Sequence, residues 1–438
     1  MTGGRSPGLP APSCESSRYV HKNRAPSLGD GANFVRPLLA TIPMRYDWLD
    51  SLRGIAALWM IEVHVVNVAL HPQWYNTWWF PWLSLTHGFV AVAFLFCAGG
   101  AFAITLERKF TAYRRWERPL WDYLAKLGLL LILGYWLHLP AFSLERTLHA
   151  SPDELRRLAD CDILQTIAAC SLLALAIGMF TRRSSIYRSI YALLFIVFAT
   201  LTPWVWESEL FRAFPFVVGA YIAPQPLSKF PLFPFAAYFF AGAVLVPILR
   251  DRSDRTVCLI FGGSIALTLI MLVIGLSSPK QWWHSSPEHV GFRIAGTLAA
   301  LAALKCGSER IRSWKLRSFL RLAGQQSLWI YVFHLLIVYG SVGGYRLSAL
   351  LGKSLDPAAC GLLFAAVTLV TCLSAWGWAM LKAAMPKVVR IVVIAVVVIA
   401  TVIFLVLPSR YAALLSVTDE SVPPGAIVQA AGGSDPLR

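Results

Sequence analysis

Residues 48–70 read Trp48-Leu-Asp50-Ser-Leu-Arg53-Gly54-Ile-Ala-Ala-Leu-Trp-Met-Ile-Glu62-Val-His64-Val-Val-Asn67-Val-Ala-Leu70. A helix needs about 20 apolar residues to cross the hydrocarbon of a bilayer, and this run is long enough. It nevertheless contains Asp50, Arg53, Glu62 and His64, side chains that cost several kcal/mol in lipid unless they are paired or watered. The same run therefore announces a membrane protein and the place to look for its chemistry.

The rest of the chain agrees. Its 438 residues are 57% hydrophobic and 14% charged, with a mean hydropathy of +0.60. Such a composition excludes soluble, disordered, fibrous and small secreted classes. The net charge of +16 fits basic loops beside anionic lipid better than nucleic-acid binding. Cys97, Cys170, Cys258, Cys360 and Cys372 lie in apolar runs with no C-x-x-C spacing, so they read as small core residues. Residues 1–45, rich in Gly, Pro, Ser and Arg, read as a disordered cytoplasmic tail without a signal-peptide pattern. Residues 46–385 read as one membrane domain, 386–408 as an additional C-terminal transmembrane helix, and 409–438 as a polar tail.

The apolar runs are 48–70, 87–106, 121–140, 162–180, 186–204, 209–223, 232–249, 256–276, 290–305, 319–341, 359–383 and 387–408. With the N-terminus in the cytoplasm, Arg108, Lys109, Arg114, Arg115 and Arg118 fall inside, as do Arg182, Arg183 and Arg188. Lys305, Arg310, Arg312, Lys315, Arg317 and Arg321 would fall outside if all these runs crossed. The run 209–223, short and carrying Arg212 and Pro215, is the one best suited to a re-entrant or interfacial path. The expected fold is an all-α integral membrane protein of about 11 transmembrane helices with one such segment. An inner or plasma membrane location follows as an expectation.

Arg53 and His64 are eleven residues apart, three turns plus about 20°, with a rise of roughly 16 Å. They share one face of a helix, a cation near the cytoplasmic end and an imidazole deep in the bilayer. Asp50 lies one turn before Arg53 and can orient its guanidinium; Asn67 lies one turn beyond His64 and can hold one ring nitrogen. Glu62 points elsewhere. Acyl transfer from a cytoplasmic coenzyme A thioester suits this stripe. Arg53, with Arg114, Arg115 or Arg118, would hold phosphates. His64 would take a proton from an acceptor hydroxyl or amine, or accept the acyl group itself. A snorkelling arginine and a packed histidine are the plainer alternative.

Other polar positions carry less. His71-Pro-Gln-Trp74 sits in an aromatic loop that can anchor helices at the interface or stack on sugar rings. His87 opens the second run, and Asp160, Asp162 and Gln165 open the fourth. His334 follows Tyr331 by one turn, where a structural hydrogen bond is its simplest role. No metal-ligand spacing, Walker pattern or dinucleotide glycine pattern occurs. A secondary transporter would also use intramembrane Arg, Glu and His, but no pair of broken helices repeats in both halves.

These residues resemble a known group. Arg53, ten intervening residues and His64 match the Arg-x10-His signature of the transmembrane acyltransferase superfamily (acyltransferase 3-like), and Leu49-Asp50-Ser-Leu-Arg53-Gly54 is similar to its Asp-x-x-Arg-Gly start. Leu85-Thr-His87-Gly-Phe-Val-Ala-Val-Ala-Phe-Leu-Phe-Cys-Ala-Gly99 resembles a stretch of bacterial relatives of heparan-alpha-glucosaminide N-acetyltransferase, departing at Ala91-Val92 where that group often has Ala-Pro. Asp162-Ile-Leu-Gln165-Thr-Ile-Ala168 and Phe230-Pro-Leu-Phe-Pro-Phe235 look like two further segments of it. Ser327-Leu-Trp-Ile-Tyr331-Val-Phe-His334 is similar to a late run of the wider superfamily. The resemblance spans residues 45–385. It implies a membrane acyltransferase that moves an acetyl or other short acyl group from acetyl-CoA or another acyl-CoA to a saccharide or glycolipid at the opposite face. It makes His64 the catalytic histidine with Arg53 its partner, and His71 the rival, because the animal enzyme has its catalytic histidine in an outer-loop His-x-x-Trp. Candidate catalytic residues are thus His64, Asn67, His71 and His87. Arg53, Arg114, Arg115 and Arg118 are expected at the donor, and Trp74, Asp162, Gln165, Tyr331 and His334 at the acceptor; no metal is expected.

Overall fold

A computed structural model describes residues 46–408 apart from 140–141, 182, 209, 223, 225–227, 280–281, 308–313 and 341–346. The tails at 1–45 and 409–438 lie outside the described residues. The helices, in chain order, are α1 (Asp47–Ala69), α2 (Phe80–Arg114), α3 (Arg118–Leu137), α4 (Leu144–Leu148), α5 (Pro152–Leu158) and α6 (Ile163–Phe180). Then follow α7 (Ser184–Thr200), α8 (Thr202–Glu207), α9 (Phe216–Ile222), α10 (Leu232–Arg250), α11 (Asp254–Leu276) and α12 (Trp282–Ser285). The last are α13 (Pro287–Gly307), α14 (Trp314–Gln325), α15 (Ser327–Tyr339), α16 (Leu347–Leu351), α17 (Pro357–Ala384) and α18 (Pro386–Val406). Among the described residues the only β pairing is an isolated bridge, Leu70 to Leu355.

The protein is an all-α membrane protein. Among the described residues nine helices are long and apolar enough to cross a bilayer, ten if the bent pair α14–α15 is one span. The apolar helix α7, with 17 residues, is shorter than these. The run 209–223 breaks into a 3-10 turn at Leu210–Ala213 and the seven-residue α9, too short to cross at 1.5 Å per residue. The difference from expectation lies at 319–341, read as one span. It bends by 76° between α14 and α15, because Gln326 leaves helical geometry (φ −103°, ψ 17°).

Local chemistry sets many boundaries. Asp162 caps α6 by accepting the Ile163 N–H at 2.7 Å, and Asp356 caps α17 through Ala359 N–H at 2.8 Å. Pro119, Pro357 and Pro386 occupy first-turn positions of α3, α17 and α18, where the missing N–H costs nothing. The interior is built by α1, α2, α6, α10, α13 and α15, whose apolar side chains form one continuous core. By contrast α11 and α18 bury little of their length and present Leu, Ile and Val outward, as lipid-facing helices do. Cys97, Cys170 and Cys360 are buried as small core residues, whereas Cys258 is exposed.

The contact of α1 with α14 positions the site. A Cβ on Gly54 would overlap the Leu320 carbonyl, and one on Gly324 the Asp50 carbonyl. Two glycines thus bring the backbones together, the small-residue packing common between membrane helices. Arg317 and Arg321 of α14 reach Asp47 at 3.0 and 3.5 Å, fixing the end of α14 nearest the start of α1.

Candidate active site

α1 is helical without interruption from Asp47 to Ala69, so Arg53 and His64 keep the spacing read from the sequence. The same broken pair flanks both. Beside Arg53, Gly324 and Gln325 of α14 meet Asp50; beside His64 stand His334 and Tyr339 of α15. Arg53 Nη1 lies 3.3 Å from Asp50 Oδ1, and the Gln325 amide nitrogen stands 3.5 Å from the other carboxylate oxygen.

Four aromatic or acidic groups from two elements, α15 and the entrance of α6, surround the His64 end. His64 Nδ1 is 3.0 Å from the Tyr339 Oη, and its ring centroid is 5.2 Å from that of His334. The Tyr331 ring stands edge-on to His334 at 6.0 Å, and its hydroxyl donates to Asp162 Oδ2 at 2.6 Å. A series of hydrogen bonds and ring contacts therefore runs from α1 through α15 to the entrance of α6. His334 is fully buried, and its Nδ1 lies 2.7 Å from the Ile330 carbonyl. A carbonyl only accepts, so Nδ1 carries the proton and Nε2 the lone pair. That Nε2 is buried and has no hydrogen-bond partner among the described residues.

The entrance of α6 is also polar. Gln165 is fully buried; its amide nitrogen lies 3.4 Å from the Asp160 carbonyl, while its Oε1 has no hydrogen-bond partner among the described residues. Asp160 Oδ1 accepts the Lys229 backbone N–H at 3.0 Å. Burial pushes the Asp160 carboxyl above its ordinary range, against the pull of the charges on His138 and Lys229.

Of the expected site residues, His64, Tyr331, His334 and Asp162 come together, with Gln165 one turn along α6. His87 faces Glu62 of α1 instead. Its Nε2 is 2.8 Å from Glu62 Oε2, an ion-pair distance without the alignment of a hydrogen bond. Glu62 does point away from His64. No hydrogen bond joins Asn67 to His64 among the described residues; Tyr339, not Asn67, holds Nδ1. His71 lies beyond the end of α1, roughly 10 Å further along the axis than His64. It is exposed and its Nδ1 accepts the Gln73 N–H at 3.2 Å, so the lone pair a base would use is engaged. Trp74 packs partly buried near Val66, Leu70 and Cys360.

The expected grouping of Arg53 with Arg114, Arg115 and Arg118 is not formed. Cys97 of α2 touches the Leu49 carbonyl of α1. Arg114 lies seventeen residues further along α2, about 25 Å at 1.5 Å per residue, while Arg53 lies one turn in the opposite direction. The long α2 carries Arg114 and its C-cap Arg115, and with them the start of α3 at Arg118, well past the start of α1, and all three are exposed. The cations that do reach the start of α1 are Arg317 and Arg321 of α14 at Asp47, Arg108 of α2 at Tyr46 and Lys305 of α13 at Trp48.

Two features escaped the sequence reading. Tyr339 ends an apolar helix, where tyrosine ordinarily marks an interface, so nothing tied it to His64. Arg293 had a usable signal: an arginine inside the apolar run 290–305. It is 1% exposed, donates from Nε to His289 Nε2 at 3.0 Å and from Nη1 to the Leu85 carbonyl at 2.6 Å. Its Nη2 has no hydrogen-bond partner among the described residues, and the ring centroids of Phe89 and Phe292 lie 4.7 and 5.6 Å from its Cζ.

No group of three or more His, Cys, Asp or Glu able to hold a metal occurs among the described residues. The available chemistry is that of imidazoles, phenols and a carboxylate in a dry interior, suited to moving protons and stabilising charge in a transfer reaction. A family model described as "Heparan-alpha-glucosaminide N-acetyltransferase, catalytic" matches residues 45–278, slightly more than half of the chain. That stretch runs from α1 through α11 and stops short of α15. No curated protein and no solved structure matches the chain.

Proposed function

The chain belongs to the heparan-alpha-glucosaminide N-acetyltransferase catalytic family and is in general terms a membrane acetyltransferase; from that premise we propose that it moves an acetyl or other short acyl group from cytoplasmic acyl-CoA to a saccharide or glycolipid acceptor at the opposite membrane face. In this reading the N-terminus and the α14 end of the bundle face the cytoplasm of a cell with the protein in its inner or plasma membrane. Arg53 holds the donor near that end, and His64, roughly 16 Å further along α1, acts where donor and acceptor meet. Tyr331, His334, Asp162 and Gln165 surround the acceptor.

The observation that carries this reading is the placement of His64 against His334 and Tyr339 on the α1 face that also bears Arg53. Membrane interiors exclude such groups unless they are used. An acyl transfer needs no more than a base for the acceptor proton and donors for the developing negative oxygen. Transfer through His64 can proceed with the imidazole as base or as acyl carrier.

The test is transfer from radiolabelled acetyl-CoA to saccharide acceptors by purified protein. His64→Ala is expected to lower transfer by roughly 100- to 10,000-fold. Arg53→Ala should raise KM for acetyl-CoA with kcat held within a few-fold, and His71→Ala should retain most activity. Full transfer by His64→Ala would overturn the assignment.

A further inference from the structure

We propose that His334 is the general base that takes the acceptor's proton, because its tautomer is locked with a buried, unpartnered Nε2 beside His64. This rests on the acyl-transfer reading and assigns one step within it. The two ring nitrogens of His334 have different fates. Nδ1–H is committed to the Ile330 carbonyl one turn back on α15 at 2.7 Å. Nε2, on the opposite edge of the ring, points away from the backbone of α15 and carries a lone pair.

A buried acceptor atom without a donor costs roughly 1–3 kcal/mol. His334 is 0% exposed and bears that cost among the described residues. What completes it is an N–H or O–H, the group an amine or hydroxyl acceptor brings. The pocket partners agree: the His64 ring lies at 5.2 Å and the Tyr331 ring at 6.0 Å between centroids. His64 differs, since its Nδ1 faces a phenol that can either donate or accept. Of these two histidines, His334 is the one whose basic nitrogen is assigned by geometry.

The step balances without a further reactant. The acceptor heteroatom forms a bond to the thioester carbonyl carbon as its proton passes to His334 Nε2. The carbon–sulfur bond then breaks, and coenzyme A leaves as the thiolate with the electron pair. The proton on His334 returns to that thiolate or to water as products depart.

His334→Asn isolates the role, since the asparagine amide nitrogen replaces Nδ1–H toward Ile330 and nothing replaces Nε2. His334→Gln, which instead puts an amide near the Nε2 position, serves as the second variant, and both are checked for monodispersity and acetyl-CoA binding in the full chain. Glucosamine and hydroxylamine are the acceptor probes. With glucosamine, transfer should fall about 100-fold or more. With hydroxylamine, which attacks with little help in losing its proton, the fall should stay below about ten-fold. An equal fall for both probes marks a structural role and overturns the proposal, as does unchanged glucosamine transfer. If His64→Ala is inactive while His334→Asn is not, the acyl-transfer reading stands and this assignment fails. If the wild type acetylates neither probe, both fail together.

Discussion

His64 and Tyr339, 275 positions apart in the chain, meet at 3.0 Å through an imidazole nitrogen and a phenol oxygen. The contact joins the first membrane helix to the end of the broken span, and the rings meet edge-on at 5.5 Å. Holding one nitrogen of a catalytic imidazole decides which way the other faces.

Tyr339→Phe keeps the ring and removes the hydroxyl. Transfer should fall roughly ten- to hundred-fold, because a small misplacement of a reacting group costs about that much. Global stability should change by only about 1 kcal/mol, the net worth of one hydrogen bond. Steady-state kinetics beside thermal unfolding of the same preparation checks both; unchanged kcat would separate Tyr339 from the site.

The Glu62–His87 pair calls for a different comparison. His87 is 2% and Glu62 19% exposed at the side chain. Glu62→Ala strands a buried ring nitrogen and should destabilise by roughly 1–3 kcal/mol. Glu62→Gln keeps a polar neighbour and should cost less than half of that. Detergent-solubilised melting curves for the two variants distinguish them, and equal melting temperatures would mean that the pair does not hold α1 to α2.

The seam between α1 and α14 is steric. Gly324→Leu forces a side chain into the Asp50 carbonyl and should cost about 1–3 kcal/mol or more from overpacking. It should also weaken acetyl-CoA binding, since α14 and Arg53 share that seam. Gly128→Ala is the control: nothing lies within 4 Å of its Cβ position, and in a helix interior the change should stabilise by about 0.5–1 kcal/mol. Yield of folded protein and a ligand-binding isotherm read the outcome.

Arg293 separates stability from function. Among the described residues no carboxylate pairs with it, and replacing buried charge by a well-packed apolar side chain is often neutral or stabilising. Arg293→Met should therefore melt within about 1 kcal/mol of the wild type or above it. Transfer should nevertheless fall at least ten-fold, because the guanidinium ties α13 to the Leu85 carbonyl, two residues before His87. Full activity in this variant would make Arg293 a packing residue alone.

Much of this molecule was legible in its residues. The apolar runs gave the crossing helices, and the weakness of 209–223 as a span was visible in its length, Arg212 and Pro215. Arg53 and His64 could be set on one face because helical period is a local property. Asp50 beside Arg53 followed from the same rule. The 76° break at Gln326 went unread, although Gly324-Gln325-Gln326-Ser327 interrupts the apolar run at that point. The reach of α2 also went unread, so Arg114, Arg115 and Arg118 were placed with Arg53 although the end of α2 and the start of α3 lie well past it.

By itself the order of residues determined the solvent in which this protein lives and the stripe on α1 that sets Arg53 and His64 on one face, because hydropathy and helical period depend only on neighbours in the chain. Tertiary structure alone decided that Tyr339 rather than Asn67 holds His64, that Glu62 turns to His87, and that His334 keeps a bare nitrogen inside. Those choices depend on which helices pack together and at what height, and packing joins residues hundreds of positions apart through contacts that no local pattern encodes.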